Sequence, residues 1–124
     1  MSVNHRKALL WVAVAAVILA PAYAADVSGK WTCTVETPVG TLHYTYDLKA
    51  EGMTLSGTAA NERGTTTLTE GKIDGDAVSF VEPLDFEGQQ IRIEYTGKIA
   101  GDELHLHRSV GDFGAQDIVA KRAQ

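Results

Sequence analysis

The chain has 124 residues, with 11 Lys and Arg against 16 Asp and Glu, a formal net charge of −5 and a single cysteine. That length accommodates one domain behind a leader and is too short for two. An acidic chain without a basic stripe repels phosphate backbones and anionic headgroups, which argues against nucleic-acid binding and membrane adhesion, and one cysteine allows no internal disulfide.

The first element is a leader. Asn4-His5-Arg6-Lys7 gives a basic start, and Ala8 to Ala20 is an apolar run of 13 residues. Pro21 then breaks the run, and Ala22-Tyr23-Ala24 offers small residues where a signal peptidase inspects them. A membrane span needs about 20 apolar residues, so this run is too short. The expectation is a signal peptide over 1–24, cleaved after Ala24, an exported protein (periplasmic or extracellular) and a mature domain over 25–124. Arg6 and Lys7 leave with the leader, so nine basic residues face 16 acidic ones, a net charge of −7.

Past the leader the apolar residues recur with period two. Trp31, Cys33 and Val35 alternate with Thr32, Thr34 and Glu36, and Leu42, Tyr44, Tyr46 and Leu48 alternate with His43, Thr45, Asp47 and Lys49. Ile91, Ile93 and Tyr95, then Leu104 and Leu106, repeat the pattern. Each segment is a strand with one buried and one wet face. Cys33 lacks the small apolar residues of a lipobox before it and is expected to pack as a small hydrophobe.

Glycine-bearing turns at Glu51-Gly52, Asp74-Gly75-Asp76 and Ala100-Gly101-Asp102 divide the segments into hairpins. Gly71-Lys72-Ile73-Asp74-Gly75-Asp76 is echoed by Gly97-Lys98-Ile99-Ala100-Gly101-Asp102, which predicts two similar hairpins. Eight strands follow, near 29–37, 41–50, 53–60, 65–73, 77–82, 89–99, 103–109 and 115–122. Short connections make sequence neighbours antiparallel partners. The fold expected is all-β, a single eight-stranded antiparallel up-and-down barrel, because closure hides the apolar face and removes free edges. A two-sheet sandwich is the alternative.

In such a barrel alternate connections fall at opposite ends. The tight glycine turns close one end. Thr37–Gly40, Asn61–Gly64, Glu82–Gly88 and Val110–Gly114 are read as longer loops at the other, where binding residues gather. Phe86 and Phe113 lie there as candidate ligand contacts or as plugs, with Glu62, Glu82, Asp85, Glu87, Asp112 and Arg63 around them. Strand parity sends Tyr44, Tyr46, Glu82, Tyr95 and Arg108 to the interior, where polar groups need partners; an internal Glu82–Arg108 pair would satisfy itself, and a one-residue bulge would instead turn either side chain outward. His105 and His107 share one strand face and with His43 could be considered for zinc, but that face is the wet one, so no metal and no cofactor is assigned.

Two features resemble the lipocalin-like, or calycin, barrels. Gly29-Lys30-Trp31 matches their Gly-x-Trp opening, and Arg122 would supply the basic side chain that stacks on the tryptophan in a structural role. Because large-ligand calycins have longer chains, the lumen is expected to be small or filled. Thr37-Pro38-Val39-Gly40, Tyr44-Thr45-Tyr46, Phe80-Val81-Glu82, Ile91-Arg92-Ile93-Glu94-Tyr95 and Gly111-Asp112-Phe113 are similar to a small accessory β-domain appended to some secreted bacterial hydrolases. That resemblance implies an extracytoplasmic accessory or binding module and brings no catalytic residues.

Three functions are compatible with these residues. The first is a binding module for a small apolar or glycan-like ligand, held by Tyr44, Tyr46, Phe86, Tyr95 and Phe113. The second is a small barrel enzyme (isomerase, cyclase or hydrolase) with Glu82 as general acid or base and Arg108 stabilising negative charge. The third is an inhibitor or interaction module whose acidic loops steer it to a protein partner.

Overall fold

The structure, a computed structural model, describes residues 26–123; the expected signal peptide over 1–24 lies outside them. Nine strands follow in order: β1 (Gly29–Thr37), β2 (Gly40–Glu51), β3 (Thr54–Asn61), β4 (Gly64–Thr67), β5 (Thr69–Asp74), β6 (Ala77–Phe86), β7 (Gln89–Ala100), β8 (Glu103–Val110) and β9 (Ala115–Arg122). Each pairs antiparallel with its neighbours, β9 returns to β1, and the result is a closed barrel of eight places.

The fourth place is shared by β4 and β5. The expected single strand over 65–73 breaks because the register against β6 slips between Thr69 and Lys72, where Glu70 takes a φ of +54°. Leu68 turns inward at the break and donates its N–H to the Gly57 carbonyl at 2.9 Å. Such a bulge bends a strand sharply, which a narrow barrel needs at its corners.

Closure also needs backbones to cross closely. A Cβ at Gly57, Gly71 or Gly97 would stand 2.0, 1.8 or 1.9 Å from a carbonyl oxygen of the adjoining strand. Only glycine fits there. The echo between residues 71–76 and 97–102 thus has a cause: each glycine passes under a neighbour just before a hairpin turn.

The period-two pattern becomes an apolar interior and a polar exterior. Trp31, Val35, Tyr46, Leu48, Leu55, Phe80, Ile93 and Leu104 are buried inside, whereas Lys30, Asp47, Lys49 and Glu94 face outward. This is the reverse of a membrane-spanning barrel, which turns its apolar side chains to lipid.

The end holding Gly52, Gly75 and Gly101 is sealed. Arg122 lies 4.3 Å over the Trp31 ring. Its guanidinium donates to the Ser28 and Asp26 carbonyls at 3.0 and 2.8 Å, while the Trp31 indole N–H donates to the Val27 carbonyl at 2.8 Å. The segment before β1 is thereby folded across the barrel's base. The stack expected from Gly-x-Trp and Arg122 is present.

The opposite end corrects one expectation. Its connections are not long: Pro38-Val39, Glu62-Arg63 and Glu87-Gly88 are two-residue turns, and only Gly111–Gly114 is longer. The segment read as a loop over 82–88 is strand as far as Phe86, because Pro83, Leu84 and Asp85 continue the ladder with Arg92, Ile91 and Gln90. The end stays open because its inward side chains leave space between them, not because of loop length.

Candidate functional site

Interior side chains change in size along the barrel axis. In the lower half Trp31, Tyr46, Phe80 and Tyr95 supply large buried rings; Phe80 and Tyr95 stack at 4.6 Å between centroids, and Tyr46 meets Tyr95 edge-on at 5.6 Å. Above them the inward positions carry Leu42, Leu84, Ile91, Ile93 and Val110, which cannot reach across the barrel. The space left is a cavity of about 880 Å³ that opens between the four turns of that end. The lumen is therefore filled below and open above, where the expectation was a small or filled one throughout.

The cavity floor is polar. Tyr44, Glu82 and Arg108 line it, and Glu82 and Arg108 are only 1% and 4% exposed. Tyr44 donates its hydroxyl hydrogen to Glu82 Oε2 at 2.8 Å, and Tyr95 donates to Glu82 Oε1 at 2.6 Å. Arg108 donates from Nε to the Tyr95 hydroxyl at 3.0 Å and from Nη2 to the Tyr44 hydroxyl at 3.2 Å. Tyr46 donates to Tyr95 from beneath at 2.9 Å. Glu82 and Arg108 both face inward, but instead of pairing directly they join a ring in which two phenols stand between carboxylate and guanidinium, each donating to one and accepting from the other.

The backbone explains the convergence. Tyr95 and Arg108 are direct partners across β7 and β8, Phe80 faces Tyr95, and Glu82 lies two residues beyond Phe80 on the same face of β6. Tyr44 and Tyr46 share one face of β2 and stack at 5.2 Å. Among the described residues no buried side-chain polar atom lacks a partner.

This packing shifts the ionisable groups. Burial, reinforced by the Glu82 charge, pushes the Tyr44 phenol up to about 12, and burial holds Tyr95 and Tyr46 well above the ordinary range. Arg108 stays charged: burial opposes its charge, but the Tyr95 and Tyr44 oxygens outweigh it and its pKa rises. Cys33, half-buried on the inward face of β1, is pushed up to about 11, chiefly by burial, which makes it a poor nucleophile.

The structure places the other expected residues as follows. Phe86 lines the cavity wall with Arg63 stacked 5.2 Å from its ring, and Phe113 stands on the rim at 70% exposure, so neither plugs the barrel. Tyr46 and Tyr95, expected as ligand contacts, lie under the floor and hold it without lining the cavity. His105, His107 and His43 point outward and pair with Glu103, Asp117 and Glu62. The hydrogen bond from the His43 side chain, with its backbone N–H, holds Glu62 down to about 2. No cluster of three metal-ligating side chains occurs among the described residues.

Sequence reasoning missed Leu84, Ile91 and Gln116 as wall residues. The signal for Leu84 was present: it continues the parity of Phe80 and Glu82, but Pro83 and the acidic Asp85 made the segment read as loop.

Comparison with protein-family models, with curated proteins and with solved structures found no match. Function is therefore read from the chemistry of the cavity.

Proposed function

We propose that the protein is an exported binding module that takes a small, mainly apolar molecule into the open half of its barrel. The observation that supports this most is the cavity itself. Its volume of about 880 Å³ is within the roughly 300–1,000 Å³ range of small-molecule sites, and aliphatic walls above a few convergent polar groups are their usual lining. The walls from Leu42, Leu84, Ile91, Ile93, Val110 and Phe86 favour an apolar body over a glycan, whose hydroxyls would lose water there without gaining partners.

Binding accounts for the floor better than catalysis does. Both Glu82 oxygens accept a phenol hydrogen, so proton transfer through Glu82 would first have to break the ring that holds it. The outward face is polar and the chain is acidic, which suits an extracytoplasmic carrier or an accessory module of a secreted enzyme.

The test is a thermal-shift screen of small amphiphiles, since a molecule that binds only the folded state must raise its melting temperature. Leu84→Trp places an indole in the cavity. The variant should fold and lose at least tenfold in affinity for every hit. Hits that bind it as well as they bind the unaltered protein would place their site elsewhere.

A further inference from the structure

The ring of four side chains at the floor is satisfied internally, yet it is not symmetric towards the cavity. Arg108 uses Nε and Nη2 on the two phenols, and its Nη1 has no hydrogen-bond partner among the described residues. Since no unpartnered side-chain nitrogen or oxygen is sealed from solvent there, the Nη1 hydrogens must reach the cavity. Glu82 also lines the cavity, and each of its oxygens accepts one phenol hydrogen and keeps a second acceptor site. The Tyr44 hydrogen is committed to Glu82, so that phenol has no donor left to offer. A molecule reaching the floor therefore meets a donor pair from Arg108 and an acceptor from Glu82. The Tyr44 hydroxyl stands between the two side chains, 3.2 Å from Arg108 Nη2 and 2.8 Å from Glu82 Oε2.

From this arrangement we infer that the cavity selects an uncharged head group carrying a hydrogen-bond donor beside an acceptor, of the primary-amide or lactam kind, on an apolar body. The inference rests on the cavity being a binding site. It follows from charge balance. The floor already holds one guanidinium and one carboxylate, and both are almost wholly buried. A carboxylate head seated on Nη1 would share the cavity floor with the Glu82 carboxylate, and an ammonium head seated on Glu82 would share it with the Arg108 guanidinium. Repulsion between like charges is strong where water is largely excluded. An amide escapes both penalties: its carbonyl accepts from Arg108 while its N–H donates to Glu82, and hydrogen bonds to charged partners are the stronger kind.

Isothermal titration of the purified protein at neutral pH with decanamide, decanoate and decylammonium tests this, because the three share a body and differ in the head. Decanamide should bind about tenfold or more tighter than either ion, which corresponds to at least one charge-assisted hydrogen bond. Glu82→Gln removes the negative partner and leaves Arg108 in excess, so in that variant decanoate should gain at least tenfold and overtake decanamide. If Glu82→Gln does not fold, the ranking on the unaltered protein decides alone. Binding of decanoate or decylammonium as tight as that of decanamide would overturn the head-group inference and leave the cavity standing as a site. Failure of all three to bind would overturn both.

Discussion

Two arginines lie over aromatic rings at different depths of one barrel, and they do opposite things. Arg122 covers Trp31, donates from both terminal nitrogens to the Ser28 and Asp26 carbonyls, and has its Nε 3.4 Å from Asp102 Oδ1. Both terminal nitrogens have a carbonyl acceptor, Nε faces a carboxylate, and the end is shut. Arg108 lies 5.5 and 5.9 Å from the centres of Tyr44 and Tyr95 and keeps Nη1 unused. A guanidinium with both terminal nitrogens bonded to backbone carbonyls is a structural clasp. One with a terminal nitrogen left over, under an open cavity, is where the proposed ligand would be held.

The comparison is broken most severely at the sealed end. Trp31 is fully buried, and its truncation in Trp31→Ala should cost about 3–5 kcal/mol through the cavity created. For a domain of this size the melting temperature should fall by about 15 °C or more. Affinity at the open cavity, measured well below the new melting point, should stay within about twofold, because Trp31 does not line it. A normal melting temperature in Trp31→Ala would show that the clasp does not hold the barrel shut.

A second pair of variants separates the arginines directly. Arg108→Met removes the cation facing a buried carboxylate and should destabilise by about 3 kcal/mol in urea unfolding. The double variant Arg108→Met with Glu82→Met should recover much of that loss, because no buried charge is then left unpaired. Arg122→Met should cost only about 1 kcal/mol: its side chain is 30% exposed, and water can reach the carbonyls it leaves. Equal losses from the two single variants would erase the distinction between clasp and site.

How far the sequence foretold this differs between the two ends. Strand periodicity and glycine turns located the eight places of the barrel to within a few residues, and Gly29-Lys30-Trp31 with Arg122 indicated the sealed end. Parity also sent Tyr44, Tyr46, Glu82, Tyr95 and Arg108 inward, where they meet. It could not tell which of them would face the cavity. Depth along the axis depends on strand tilt and on the bulge at Glu70, and neither leaves a mark on period-two alternation. For the same reason parity allowed a Glu82–Arg108 pair and could not show the phenols between them: facing inward specifies a side, not a height.

The smallest effect concerns pH, and it tests whether the floor opens independently of the clasp. Tyr44, Tyr46 and Tyr95 are the tyrosines of the described barrel, and all three belong to the floor ring or support it. Burial raises Tyr44 from 10.0 to about 12 and lifts the other two well above 10.0. A folded-state pKa above the unfolded one contributes stability that is fully present below about pH 10 and is lost as pH rises through about 12, since the unfolded chain releases the proton first. Melting temperatures should accordingly hold steady up to about pH 10 and then fall. In the protein freed of residues 1–24, tyrosinate absorbance should appear only as the chain unfolds, together with the change in Trp31 emission. Tyrosinate forming at lower pH than the Trp31 change would mean that the floor ring gives way while the far end remains clasped, and the two halves of the barrel would then be separate units of stability.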